Sequence, residues 1–268
     1  MPEAHHRHAL PAFLGVTALL VAASTAATIR WSQSMSGMGE IPMPGGGALS
    51  MAWLPVCGQT WPGTAASFIG MWAVMMVAMM LPSLAPMLWR YRQALGAHGH
   101  AHPGTLTALL TVAGAAYFCV WIALGAAIFA LGAALAETAM KIPAVARALP
   151  LASGMAVLLG GLFQFTASKT RSLACCRGQV EQHQAFAAGT GAAWQHGLRL
   201  GLHCSRSCAG LTVILLVMGV MDLGAMALVT AATTAERIVP AGERIALAVG
   251  VIATGAGWFM VARASGVL

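Results

Sequence analysis

The sequence predicts an all-α fold, a polytopic bundle of six or seven transmembrane helices. Hydrophobic residues make up 59% of the chain and charged residues only 8%, and the mean hydropathy is +0.78. A chain with this composition has too few polar side chains to cover a soluble globule. Abundant Ala and Gly also favour helices that pack closely in lipid. We therefore expect the lipid bilayer to be the first partner of this chain.

A helix needs roughly 20 apolar residues to cross a bilayer. Segments of suitable length lie at 9–29, 64–88, 105–135, 145–166 and 245–261. The run at 209–235 has Gly219 and Asp222 near its middle. It is predicted to form either one long helix or two short ones, and in the second case Asp222 caps the new helix. An unbroken helix would instead make this acidic residue a functional candidate.

Basic residues collect in two loops, at Arg90 and Arg92 and at Lys169, Arg171, Arg177 and Arg199. The positive-inside rule places both loops in the cytoplasm. Residues 1–268 are then predicted to form one membrane domain, with a Met-, Gly- and Pro-rich extracytoplasmic loop at about 30–63. Basic residues in loops between membrane spans account for the net charge of +7, so nucleic acid is not an expected partner.

Four of the six cysteines lie near the predicted cytoplasmic face, namely Cys175, Cys176, Cys204 and Cys208. Thiols stay reduced in the cytoplasm, and reduced thiols in clusters indicate metal or redox chemistry. Cys204 and Cys208 are four residues apart, so a helix brings them to about 5–6 Å on one face, where they can share a soft cation. Packing as small apolar side chains is the alternative.

Neighbouring residues extend this candidate metal site. Cys175 and Cys176 are expected in the loop before the Cys204 helix. His203 points about 100° away from Cys204 on a helix and would be a ligand only at a frayed end. Arg206 is expected either to reach water or to hold the thiols in their charged form.

A second metal candidate is the methionine stripe of MWAVMMVAMM. Met75, Met76, Met79 and Met80 span about 140° of a helix. Thioethers are soft ligands that favour Cu(I), whereas methionine is also an ordinary filler of helix contacts.

Weaker candidates lie elsewhere in the chain. The outer loop contains Met35, Met38, Met43, Met51 and Cys57, which could capture copper, and HHRH and HGHAHPG contain His tracts that could bind Zn²⁺ or Cu²⁺. A flexible loop and incidental surface histidines are the alternatives. The chain has only seven acidic residues, so few side chains could serve as a general acid or base, and an enzymatic activity is not favoured.

The order and spacing of several segments resemble a bacterial family of unknown function described as predicted metal-binding integral membrane proteins. The segments that carry the resemblance are MMVAMMLPSLAPM, LACCRG, GLHCSRSC, GVMDLGAM and ERIVP. The resemblance implies metal binding through Cys176, Cys204 and Cys208, and a bacterial inner membrane location. Ser172 and Ser207 stand where the family has cysteine, so Cys175 is the expected substitute for a missing thiol.

The sequence therefore predicts a membrane protein that handles a soft transition metal, with copper favoured and zinc as the alternative. A metal-donor or metal-acceptor protein, or a membrane complex, is an expected partner. Two other functions stay open, a membrane thiol-disulfide oxidoreductase and a non-catalytic subunit of a membrane complex. The strain of a disulfide between adjacent cysteines disfavours the first of these.

Overall fold

The chain folds into a helical bundle with one short β-hairpin. The computed structural model describes residues 2–36, 40–42, 48–50, 53–55, 58, 60–97, 102–177 and 189–266. Its elements are α1 (Pro2–Ser36), β1 (Glu40–Pro42), β2 (Ala48–Ser50), α2 (Trp61–Ala97), α3 (Pro103–Lys141), α4 (Pro143–Phe163), α5 (Ala167–Cys176), α6 (Thr190–Met218), α7 (Leu223–Ile238) and α8 (Gly242–Ala264). β1 and β2 pair antiparallel. The predicted helical class is confirmed.

Six helices in the described part of the chain are long and apolar enough to cross a membrane, α1 to α4, α6 and α8. All five segments predicted from hydropathy lie largely or wholly within them. The predicted third segment is part of one 39-residue helix that ends at Lys141. At 1.5 Å per residue, α5 and α7 are only about 15 and 24 Å long, shorter than the roughly 30 Å of a hydrocarbon core.

Helix α2 forms the centre of the bundle, and α1 lies on its outside. In the most apolar stretch of each helix, 61% of the α2 residues are buried, against 6% of the α1 residues. Trp72 of α2 is fully buried, and its indole N–H donates to the Trp121 carbonyl of α3 at 2.9 Å. Since this bond satisfies the indole, a large ring can sit in the core without a lost hydrogen bond.

Helices α4 and α8 pack closely because glycines line their contact. A Cβ at Gly257 would collide with the Leu158 backbone, and one at Gly161 would collide with Thr254. Small residues of this kind let helix backbones approach each other, which is a main source of helix association in lipid.

The break between α6 and α7 confirms the two-helix alternative for the 209–235 run. α6 ends at Met218, and Gly219 follows with a φ of 117° that L side chains rarely adopt. Asp222 is the N-cap of α7 and accepts a hydrogen bond from the Ala225 N–H at 2.7 Å. The turn returns the chain alongside α6, since α6 and α7 contact each other.

Removing this cap should weaken α7. We expect Asp222→Ala to lower the free energy of unfolding by about 1 kcal/mol, the usual cost of losing an N-cap. Asp222→Asn should retain most of the stability, because its amide oxygen can accept the same bond. Thermal unfolding in detergent, followed by circular dichroism, measures the difference. Equal losses in both variants would contradict the capping role.

Candidate metal centre

Cys204 and Cys208 lie on the face of α6 that is turned into the bundle. Each is 1% exposed, and α6 is continuous through both residues. Their four-residue spacing therefore places them on one helix face, as the sequence predicts. Ser207 lies between them on the same buried side.

Arg237, near the end of α7, lies against both sulfurs. Its Nη2 donates to Cys204 Sγ at 3.0 Å, to Cys208 Sγ at 2.9 Å and to Ser207 Oγ at 3.1 Å. Its Nη1 donates to Ser83 Oγ of α2 at 2.9 Å. The guanidinium is a fixed positive charge, and four bonds offset part of the cost of burying it. Both thiols thus converge on one cationic group.

The other side of Cys204 contacts α2 and α3. Its Sγ is 4.0 Å from the Met80 Sδ of α2 and 2.8 Å from the Tyr117 hydroxyl of α3. Both partners are 1% exposed. The cluster therefore contains thiols, a thioether and a phenol hydroxyl with no bulk water between them.

Cys176 approaches the cluster from α5. It is 1% exposed, and its Sγ lies 3.9 Å from Ser207 Oγ. Burial raises the pKa of the Cys176 thiol, although the Arg237 guanidinium acts in the opposite direction. The prediction that Cys175 and Cys176 lie in a loop is wrong, because they are the last two residues of α5. Thr166 caps this short helix by accepting from the Lys169 N–H, which fixes the turn that carries both cysteines.

A buried ion pair lies next to the cluster and is hydrogen-bonded to its helix α6. Lys169 Nζ is 2.6 Å from Glu236 Oε2, and the two side chains are 0% and 2% exposed. Lys169 also donates to the Ser207 carbonyl at 2.6 Å. The pair joins α5, α6 and α7 directly behind the thiols.

The remaining predicted ligands lie in different surroundings. His203 is half-buried on α6, and its Nδ1 has no hydrogen-bond partner among the described residues. Met76 lines a small cavity against Trp121 of α3, and Met75 and Met79 line a larger one between α1, α2 and α7. Of the methionine stripe, Met80 alone has a described contact with a thiol of the cluster.

The hypothesis that Arg206 holds the thiols charged is wrong. Arg206 is exposed, because a residue two positions after Cys204 on a helix points to the opposite face. The basic side chain that contacts both sulfurs is that of Arg237. The predicted candidates Met38, Met43, Met51, Cys57, His98 and His100 lie outside the described residues, as do the side chains of Met35 and the first His tract.

A cavity of about 420 Å³ opens onto the cluster. Cys176, Ser83 and Arg237 line its inner end, and Arg90 and Arg177 line another part. Leu10, Phe13 and Leu14 of α1 form one wall. The cavity therefore brings open space between α1, α2, α5 and α7 up to Cys176 and Arg237.

The donor atoms of the cluster are those that a soft metal ion prefers. Within the described part of the chain, no three His, Cys, Asp or Glu side chains are placed as a metal site. Two thiols and a neighbouring thioether match the soft sulfur donors that select Cu(I).

A known protein family also matches this chain. The model of a family described as PpoB2, copper chaperone, matches residues 69–260 of the 268 residues. The chain belongs to the PpoB2 copper chaperone family. The match includes every cysteine, Met and Arg residue of the cluster described above. No curated protein and no solved structure matches the chain.

Sequence reasoning missed the groups that surround the thiols. Arg237, Tyr117 and the Lys169–Glu236 pair were not predicted to contact them. The signal that could have found Arg237 and Glu236 is their rarity, since an ionisable residue beside an apolar helix is a functional candidate by default.

Proposed function

We propose that this member of the copper chaperone family binds copper as Cu(I) at Cys204 and Cys208. Met80 and Cys176 are the neighbouring sulfur donors. The observation that carries the proposal is the convergence of both buried thiols on one nitrogen of Arg237, at 3.0 and 2.9 Å. Two side chains that contact the same atom are close enough to share one ion.

The chemistry of the surrounding groups supports this assignment. A cysteine binds metal as the thiolate, so each ligand loses a proton when the ion binds. The positive guanidinium beside Cys204 and Cys208 stabilises the charged form. The apolar walls exclude water, which protects soft sulfur ligation from hard oxygen competitors.

The Met-rich part of α2 supports a route for the ion away from the thiols. Met75 and Met79 line a cavity of about 570 Å³ with Met226 of α7. Pro82 lines both this cavity and the one that reaches Cys176. The two cavities therefore follow each other along the contact of α1, α2 and α7. We propose that Cu(I) passes from Cys204 to the Met80 thioether, which lies 4.0 Å away, and from there to Met75 and Met79 along this contact.

The six apolar helices support placing this copper chaperone in a membrane, for which we propose the bacterial inner membrane. A chaperone must receive its ion and hand it on, so a donor or acceptor protein is the expected partner. Arg90 and Arg177 mark the end of the bundle proposed to face the cytoplasm, and the cavity with Cys176 lies at that end.

Copper content tests the site. We expect purified wild-type protein, loaded anaerobically with Cu(I), to retain close to one copper per chain after a chelator wash. Cys204→Ala/Cys208→Ala should retain copper only at background level, because both thiolates are lost. The measurement is copper per chain by elemental analysis.

The matched control is Cys119→Ala. Cys119 is an exposed cysteine on α3, so its removal should leave the copper content unchanged. Full copper content in the Cys204/Cys208 double variant would overturn the proposed site. An equal loss in the Cys119 variant would show that the losses do not depend on the cluster.

A further inference from the structure

We propose that Arg237 makes the thiol cluster selective for a monovalent soft cation over a divalent one. This inference rests on the proposed copper site and names a residue that determines which ion the site accepts. The inference depends on the fixed positive charge of Arg237, which contacts both sulfurs. The identity of the donor atoms alone does not predict it.

The charges around the cluster lead to this conclusion. Cys204 and Cys208 bind as thiolates and carry two negative charges, and Arg237 contributes one positive charge at hydrogen-bond distance from both. Cys176, whose sulfur lies 3.9 Å from Ser207 Oγ, is counted as a neutral thiol because burial favours the uncharged form. Lys169 and Glu236 form an ion pair whose charges cancel. One negative charge remains, and a monovalent ion neutralises it. A divalent ion on the same two thiolates leaves a net positive charge in a buried site, which is costly.

The magnitude of the effect depends on the charge of the bound ion. Coulomb repulsion between the guanidinium and the ion is proportional to the ion's charge, so Arg237 opposes a divalent ion twice as strongly as a monovalent one. Part of the preference for Cu(I) over a divalent ion therefore comes from the charge of Arg237 and not from the sulfur ligands.

The burial of this arginine strengthens the argument. Arg237 is 7% exposed, and its four described bonds join α7 to Ser83 of α2 and to three residues of α6. A guanidinium held in this way cannot swing into water when a second cation arrives. Because salt screens buried charges much less than exposed ones, this repulsion persists at physiological ionic strength.

The test measures two affinities and compares their ratio. Full-length protein in detergent is titrated anaerobically with Cu(I) against a Cu(I) chelator, and separately with Zn²⁺ against a zinc chelator. We expect Arg237→Gln to lower the ratio of Cu(I) to Zn²⁺ affinity at least tenfold, while Arg237→Lys keeps the wild-type ratio. Arg237→Gln also raises the proton affinity of the thiols and changes the packing, but both effects alter the Cu(I) and Zn²⁺ affinities alike, so a structural role alone would not move their ratio.

A second pair of variants tests the same charge without removing Arg237. Ser83 contacts Arg237 Nη1 and lines the open cavity, so a slightly larger side chain has room there. Ser83→Asp places a carboxylate on the guanidinium and should lower the ratio in the same direction. Ser83→Asn, which is equal in size and neutral, should leave the ratio as in the wild type.

The outcomes separate this inference from the proposed function. A wild-type protein that binds no Cu(I) overturns the copper site itself. A wild-type protein that binds Cu(I), with an unchanged ratio in Arg237→Gln and Ser83→Asp, overturns the role of Arg237 and leaves the copper site in place. If Arg237→Gln cannot be purified, the Asp and Asn variants at Ser83 decide the question.

Discussion

Replacing Lys169 by Met is expected to lower the free energy of unfolding by about 3–5 kcal/mol, the typical cost of removing one partner of a buried ion pair. Lys169 and Glu236 are 0% and 2% exposed, with 2.6 Å between Nζ and Oε2. Without Lys169, the Glu236 carboxylate either stays charged without its partner or takes up a proton, and both outcomes are unfavourable. The Ser207 carbonyl also loses its donor.

The double variant Lys169→Met/Glu236→Met should be more stable than either single variant. Two apolar side chains of similar length remove the uncompensated charge, and such replacements are often close to neutral. Unfolding in increasing concentrations of a denaturing detergent measures all three proteins. A double variant as unstable as the sum of the single variants would show that the ion pair is not the source of the loss.

The chain contains a matched exposed pair. Lys141 Nζ is 2.5 Å from Glu137 Oε1 within the last turn of α3, and the side chains are 70% and 50% exposed. Solvent screens such a pair, so we expect Lys141→Met to change stability by about 0.5 kcal/mol or less. The contrast between positions 169 and 141 isolates the effect of burial.

Replacing Gly257 by Ala is expected to destabilise the bundle by about 1–3 kcal/mol, the usual cost of overpacking. The added Cβ would overlap the Leu158 backbone nitrogen and lie 2.6 Å from the Leu158 Cα. Backbone atoms cannot rotate away as a side chain can, so α4 and α8 must separate. Separation weakens the close contact that holds these helices together.

Gly255 is the control for this substitution. It lies on the same helix, two residues away, and a Cβ there meets nothing within 4 Å. Gly255→Ala should be neutral or slightly stabilising, because Ala is the better helix former. Thermal unfolding in detergent compares the two variants. Similar losses at both positions would show that helix contact at Gly257 is not the cause.

The spans were predictable because their signal is local. Each of the five predicted segments is recognised by its own apolar length, without knowledge of its neighbours. The turn at Gly219 is also predictable as one of two alternatives, since a glycine followed by a capping residue is a short-range pattern. The sequence predicts a loop in place of the short helix α5, because these ten residues carry no membrane signal and their helix is stabilised by contacts with α6 and α7.

The thiols of the candidate site were predictable for the same reason, and their partners were not. Cys204 and Cys208 share a helix, so their spacing alone places them on one face. Arg237 is on another helix, and Tyr117 is on a third. Nothing in the sequence near either residue states which helices become neighbours. Arg206 was the nearest basic residue in sequence, and helical geometry places it on the opposite face.

The turn between α6 and α7 also constrains the number of residues that separate Cys204 from Arg237. At 1.5 Å per residue, Cys204 lies about 21 Å before the end of α6, and Arg237 lies about 21 Å after the start of α7. These equal lengths bring the guanidinium back to the level of the sulfur. An insertion or deletion in only one of the two helices would shift the register and carry Arg237 past the thiols. The segment from Cys204 to Arg237 can therefore vary in composition far more readily than in length.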